Sequence, residues 1–136
     1  MAKLDQLIRV KKWNLDVARR ELVELETMRA DLRKQIARIE AGLVEEQMVA
    51  TKGGWLGNYG EYAEAQLARR ERLKESLHAL DKQITDKLDQ IQQGFEELKT
   101  VQIASDRAAE KQAYKQFRAQ QITLDDIAGQ RAFRST

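Results

Sequence analysis

A heptad-spaced series of apolar residues near the start of the chain is the feature that most constrains its fold. Positions 4, 8, 11, 15, 18, 22, 25, 29, 32, 36, 39 and 43 alternate steps of four and three, and ten of these twelve are apolar. The two exceptions are Lys11 and Arg29. A period of 3.5 residues is typical of a coiled-coil seam. Because so narrow a stripe encloses no pocket, the sequence predicts a protein that acts through contacts with other proteins.

The composition excludes several other classes. The chain has 24 Lys and Arg against 22 Asp and Glu, with no Cys and no Pro. The charges are mixed along the chain, which indicates a solvated surface and not a nucleic-acid footprint. No segment approaches the roughly 18 apolar residues of a membrane span, and the N-terminus lacks the apolar core of a secretory signal. We therefore expect a soluble, cytoplasmic protein that neither inserts in a membrane nor binds nucleic acid.

The glycines between residues 51 and 60 interrupt an otherwise helical pattern. Four of these ten residues are Gly, and Asn58 with Glu61 forms a potential capping box. The sequence predicts helices over 3–50 and 59–120 around a turn at 51–59, with the tail 121–136 either continuing the second helix or forming a short separate one. The predicted fold is an all-α, antiparallel, two-helix coiled-coil hairpin that forms a single elongated domain. One uninterrupted, dimerising helix is the alternative, which four glycines make costly.

The second helix repeats the seam and suggests a register. Lys87 and Gly94 interrupt the repeat, and Leu88 and Phe95 are expected to widen the stripe. A turn centred near residue 55 pairs residues whose numbers sum to about 110, so Arg29 should meet Asp81 and Lys87 should meet Glu24. The apolar seam positions of the second helix are Leu73, Leu77, Leu80, Ile84, Ile91, Leu98 and Val101.

The same register leaves the end of the second helix unpaired. Leu4 pairs near residue 106, so residues from about 110 onward have no partner in their own chain. An unpaired helix with large apolar side chains either docks on something or frays. Those side chains are Tyr114, Phe117, Ile122, Leu124, Ile127 and Phe133.

No residue pattern predicts catalysis, a metal site or a cofactor. His78 is the only histidine and has no partners at ligand spacing. The glycines lack the following Lys and Ser or Thr of a phosphate-binding loop. Asp125 and Asp126 could be read as paired carboxylates or a metal site, but they have no predicted pocket around them, and negative charge near a helix start is the better explanation.

The aromatic residues are better candidates for contacts. Trp13 falls on an outward-facing heptad position, where it either meets a partner or packs against the tail of the long helix or a neighbouring chain. Trp55, Tyr59 and Tyr62 cluster at the predicted tip, where they either staple the turn or form a partner-facing knob.

Two segments resemble the flagellar export protein family FliJ. These are the tip, with Asn58-Tyr59 followed by Tyr62, and the ending at 121–134, whose apolar-Asp-acid-apolar-Ala motif Leu124-Asp125-Asp126-Ile127-Ala128 is followed by Arg131 and Arg134. The heptad pattern, chain length and two-helix layout agree across the whole chain. Gln66 and Arg69 depart from the family, whose gate-contacting positions near them are apolar.

The resemblance implies a non-enzymatic stalk and adaptor of flagellar type III protein export, at the inner face of the cell membrane. It would insert in the hexameric export ATPase, promote its assembly and activity, couple it to the export-gate membrane protein and cycle export chaperones. The overhang with Leu124, Asp125, Asp126 and Ala128 would be the ATPase-side end, and Tyr59 and Tyr62 would face the gate. The expected contact residues are Trp13, Tyr59, Tyr62, Phe117, Leu124, Asp125, Asp126, Ile127, Ala128, Arg131 and Phe133.

Two other functions fit the same pattern. An export chaperone or escort would bind cargo or other chaperones through the apolar tail. A self-assembling structural coiled coil would exchange that tail between two copies. The sequence leaves flagellar and injectisome systems equally open.

Overall fold

A computed structural model describes residues 2–53 and 56–135, and these residues form two helices. Helix α1 spans Ala2–Gly53 and helix α2 spans Leu56–Ser135, and no strand occurs among the described residues. The two helices pack against each other, which confirms the predicted all-α, two-helix hairpin. By its contacts the chain divides into two units, one made of residues 16–92 and the other of residues 1–15 with 93–136.

The helices extend further than the sequence pattern predicts. Residues 51–53 belong to α1 and residues 56–59 to α2, so only Gly54 and Trp55 of the predicted turn lie outside the described residues. Asn58, the predicted cap, lies within the first turn of α2. The tail is part of α2, which continues without a break through residues 121–135.

The seam of α1 follows the sequence pattern position by position. All twelve residues of the series from Leu4 to Leu43 are buried or half-buried, including the two charged ones. The seam of α2 is longer than the apolar pattern shows, because the four–three alternation of residues shielded from solvent runs without a gap from Tyr59 to Ala108. Its polar members are Gln66, Arg70, Lys87 and Ser105.

Ion pairs accompany the charged seam residues of the 16–92 unit. The Arg29 guanidinium lies 3.6 Å from Asp81 Oδ1, as the register predicts. Arg70 lies 3.8 Å from Glu40. Lys87 contacts Glu21 and not the predicted Glu24. Glu21 is one turn earlier on the same side of α1, and the flexible lysine stem reaches it because the local pairing sum is nearer 108 than 110.

In the unit formed by residues 1–15 and 93–136, a glycine lets the helices approach closely. A methyl group added at Gly94 would lie 3.1 Å from Leu15 Cδ2, so the Leu15 side chain fills the space that a larger seam residue would occupy. Leu15 is only 5% exposed as a result. Lys11, the remaining charged seam residue, contacts Glu97 at 3.1 Å.

The expected widening of the stripe at Leu88 and Phe95 is not present. Their side chains are 49% and 52% exposed, whereas Ile84, one turn before Leu88, is 4% exposed. Each of the two lies one position past a seam residue, and a residue at that angle reaches only the edge of an interface between two helices.

Replacing Ile84 by Ala should lower the free energy of unfolding by about 2–4 kcal/mol, because it leaves a cavity in the seam. Leu88→Ala is the matched control and should cost less than about 1 kcal/mol, because half of that side chain is already in water. Urea unfolding followed by circular dichroism measures both. Equal losses would mean that the stripe is wide at this point.

Exchanging the charges of Arg29 and Asp81 tests the register. Arg29→Glu alone places two acids side by side and should cost about 1 kcal/mol, since the pair is partly exposed. Adding Asp81→Arg should recover at least half of that loss in the same assay. If the double variant is no more stable than the single one, the two residues do not interact.

Candidate functional site

The first candidate surface surrounds Trp13, in the unit formed by residues 1–15 and 93–136. Trp13 is 61% exposed and Val10, its neighbour one turn earlier, is 54% exposed. Both lie off the seam that contains Lys11 and Leu15. A large indole ring left mostly in water at this position is a typical anchor for a protein contact.

The tip tyrosines lie against α1. The Tyr59 hydroxyl donates a hydrogen bond of 3.4 Å to the Leu43 carbonyl, and the Tyr59 side chain is half-buried. The Tyr62 hydroxyl lies 3.6 Å from the point where a side chain at Gly42 would begin, so this glycine provides the room for it. Tyr62 remains 38% exposed. Tyr59 thus staples α2 to α1, whereas Tyr62 is partly exposed to solvent.

Trp55, the third aromatic residue of the predicted tip cluster, lies outside the described residues. The two polar residues that follow the tip on α2 differ in position. Gln66 is half-buried in the seam, whereas Arg69 is exposed.

The overhang, defined as residues 109–135 of α2, is the most exposed surface of the chain. Every residue from 109 to 134 is exposed, with Phe117 at 57% and Leu124 at 59%. The α2 seam ends at Ala108, and continuing its four–three spacing would place Gln112, Lys115, Ala119, Ile122 and Asp126 on that side. Pairing ends at Ala108 because a register whose residue numbers sum to about 110 places that residue opposite the start of α1 at Ala2.

The apolar residues of the overhang follow a different line around the helix. At about 100° per residue, Tyr114, Phe117, Leu124 and Ala128 fall within roughly a quarter of the circumference, together with Gln121. We call this set the overhang stripe. Asp125 and Arg131 flank it on either side. Asp126, Ile122 and Phe133 lie on the far side, and Ile127 lies between the two sides.

The structure therefore divides the predicted C-terminal contact residues into two groups. Phe117, Leu124 and Ala128 share one face, flanked by Asp125 and Arg131. Asp126 and Phe133 line a shallow open cavity on another face, together with Gly129, Gln130 and Arg134 and with Asp125 from the edge of the stripe. A motif read as a linear string of residues does not state on which side of the helix each residue lies. The sequence motif therefore did not separate these two groups.

Among the described residues, no group of three or more His, Cys, Asp or Glu side chains converges to hold a metal ion. His78 is exposed on α2. Asp125 and Asp126 are consecutive helix residues, so their carboxylates point about 100° apart.

Polar residues occupy several contact positions that the apolar pattern does not reveal. Arg70 packs in the seam and pairs with Glu40, and Gln66 and Ser105 complete the α2 series. The signal that could have found them is spacing alone: each sits a regular three or four residues from an apolar seam position.

The fold and its exposed faces define a class of protein. It is a coiled-coil hairpin whose second helix runs past the first and leaves an apolar stripe uncovered. Residues 1–136 match the family model described as Flagellar FliJ protein. The chain belongs to the FliJ family, and an export-related role in the flagellum follows from that membership. Searches of curated proteins and of solved structures gave no match.

Neither helix, over the residues that the structure describes, contains a stretch long and apolar enough to cross a membrane.

Trp13→Ala should change the free energy of unfolding by less than about 0.5 kcal/mol, because the ring packs in no core. The chain has two tryptophans, so Trp55→Phe leaves Trp13 as the only indole. In that variant, iodide should quench the fluorescence nearly as strongly as it quenches free tryptophan. Protection from iodide in a dilute sample would show that Trp13 packs within the chain.

Proposed function

We propose that this chain is a non-enzymatic stalk and adaptor of the flagellar type III export apparatus. Its partners are the hexameric export ATPase, the export-gate membrane protein and export chaperones, at the cytoplasmic side of the cell membrane. The overhang inserts in the ATPase ring and promotes its assembly and activity. The hairpin tip contacts the gate. The observation that carries this proposal is an uninterrupted, fully exposed helix with an uncovered apolar stripe.

The overhang supports the ATPase end of this proposal. A helix whose residues 109–134 are all exposed gains little from its own chain, so its apolar stripe must be covered elsewhere to contribute free energy. A single helix can meet six similar subunits because it presents a different face to each of them. The stripe with Phe117 and Leu124 would make the strongest contacts, and Asp125 and Arg131 on its two edges would set its orientation.

The paired part of the hairpin supports mechanical coupling. A stalk transmits force only if its two helices do not slip past each other. The charged seam residues oppose slipping, because moving either helix by one heptad would replace the acids that face Arg29, Arg70 and Lys87 by residues that are not acidic. Lys11 with Glu97 has the same effect in the other unit.

The tip supports the gate contact. Tyr59 is held by the Leu43 carbonyl, so the start of α2 is a rigid base for the half-exposed edge of Tyr62. Arg69 lies exposed two turns further on. The proposed gate surface is therefore aromatic and cationic, and Trp13 is assigned to a separate contact.

ATP turnover and ring formation by the cognate export ATPase, titrated with this chain, test the proposal. The full chain should stimulate both at about one copy per ring, and a version that ends at Lys111 should not, because it lacks the overhang stripe. Leu124→Asp should raise the half-maximal concentration about tenfold or more. Ile122→Asp is the matched control, since Ile122 is equally exposed on the far side of the helix.

The alternatives give different results in the same titration. If neither chain affects the ATPase while unfolded export cargo binds the full chain, the chain is an export chaperone and the stalk proposal is wrong. If Ile122→Asp and Leu124→Asp have equal effects on the half-maximal concentration, the ring does not bind the overhang through the overhang stripe.

A further inference from the structure

A groove runs along one side of the 16–92 unit, between α1 and α2. Two adjoining open cavities make up this groove, and they share Met28 and Gln83. Its floor is apolar, with Leu25, Leu32 and Leu80 of the seam. The α1 rim consists of Glu21, Glu24, Met28, Asp31 and Gln35, and the α2 rim of Ser76, Ala79, Gln83, Asp86 and Gln90.

Both rims have the spacing of a helix-binding surface. On each helix the rim residues are three and four apart, so each rim is a straight edge parallel to the seam. Met28 is 55% exposed beside this apolar floor. A third helix laid in the groove would place an apolar stripe of its own on Met28 and the leucines below.

The groove is acidic. Lys87 is its only cation, and Lys87 already contacts Glu21. Glu24, Asp31 and Asp86 form no ion pair with any other described residue. A helix that fits here should therefore carry positive charge along the edge of its apolar stripe.

The overhang has this pattern. Lys111, Arg118 and Asp125 are seven residues apart and form one edge of the overhang stripe. On α1, Glu24 and Asp31 of the rim and Arg38, which lies just past the end of the groove on the same line, are also seven residues apart. Laid side by side in the same direction, the two edges pair Lys111 with Glu24, Arg118 with Asp31, and Asp125 with Arg38. All three pairs join opposite charges.

We propose that this groove binds the overhang of a second copy of the chain, running parallel to α1. The antiparallel direction is disfavoured. It keeps two pairs of opposite charge only if Lys111 and Arg118 lie beside Asp31 and Glu24, and Asp125 then lies beside Val17, so the third pair is lost. α2 is uninterrupted as far as Ser135, so the described overhang contains no turn at which it could fold back. Each copy offers one groove and one overhang, and a reciprocal exchange closes as a dimer.

Such a dimer covers Phe117 and Leu124. A copy whose overhang lies in a second copy's groove cannot offer the same face to another protein. Self-association would therefore compete with every other use of the overhang stripe. This inference depends only on the groove and the overhang, and it can hold or fail independently of the ATPase.

Disulfide trapping tests the pairing, since the natural chain has no cysteine. A tagged Asp31→Cys chain is mixed with an untagged Arg118→Cys chain and oxidised at low salt. We expect a cross-linked product that contains one of each. Asp31→Cys with Ala119→Cys is the control, because Ala119 lies next in sequence but on the far side from the stripe, and it should give several-fold less product.

Sedimentation equilibrium of the uncross-linked full chain gives the second measurement. Asp31→Arg should weaken the dimer about tenfold, because the pair occurs twice in it, and Arg118→Asp in the same chain should restore it. Circular dichroism checks that each variant remains helical. A chain that stays monomeric at every concentration, a dimer indifferent to Asp31→Arg, or equal trapping at positions 118 and 119 would overturn the proposal.

Discussion

Packing between the two heptad stripes is the interaction on which everything else in this molecule depends. The most deeply buried side chains among the described residues, such as Leu15, Leu80 and Ile84, all belong to that seam. There is no second layer of structure to share the burial. A fold with one narrow interface buries little apolar area per residue. Each seam position therefore contributes a larger share of the free energy of folding than a position in a globular core does.

The cations in the seam follow from this. Lys11, Arg29, Arg70 and Lys87 occupy positions where an apolar residue would contribute more stability, yet each lies beside an acid of the other helix. Partly exposed ion pairs contribute little to stability. Their effect is to destabilise every register but one. A two-helix structure needs this discrimination, because the apolar contacts alone would be nearly the same if one helix were shifted by a heptad.

The difference in length between the helices leaves the overhang exposed. Pairing continues on α2 as far as Ala108, because a register whose residue numbers sum to about 110 places the start of α1, at Ala2, opposite that residue. The apolar residues then move to another side of the helix, where Phe117 and Leu124 remain exposed. The proposed adaptor function and the proposed self-association both use this stripe, so one copy could serve only one of them at a time.

Much of the fold follows from the sequence by itself. The two helices, the hairpin, its register and the overhang all follow from the heptad spacing of the apolar residues and from the four glycines between them. Heptad periodicity is a local property of the sequence, so residues far away along the chain do not change it. The Arg29–Asp81 pair was predictable for the same reason. Only the tertiary structure decided the choice of Glu21 over Glu24, the seam roles of Gln66 and Arg70, and the packing of Leu15 on Gly94. Polar side chains carry no periodic signal of their own, and their burial is decided by which atoms of the facing helix lie within reach.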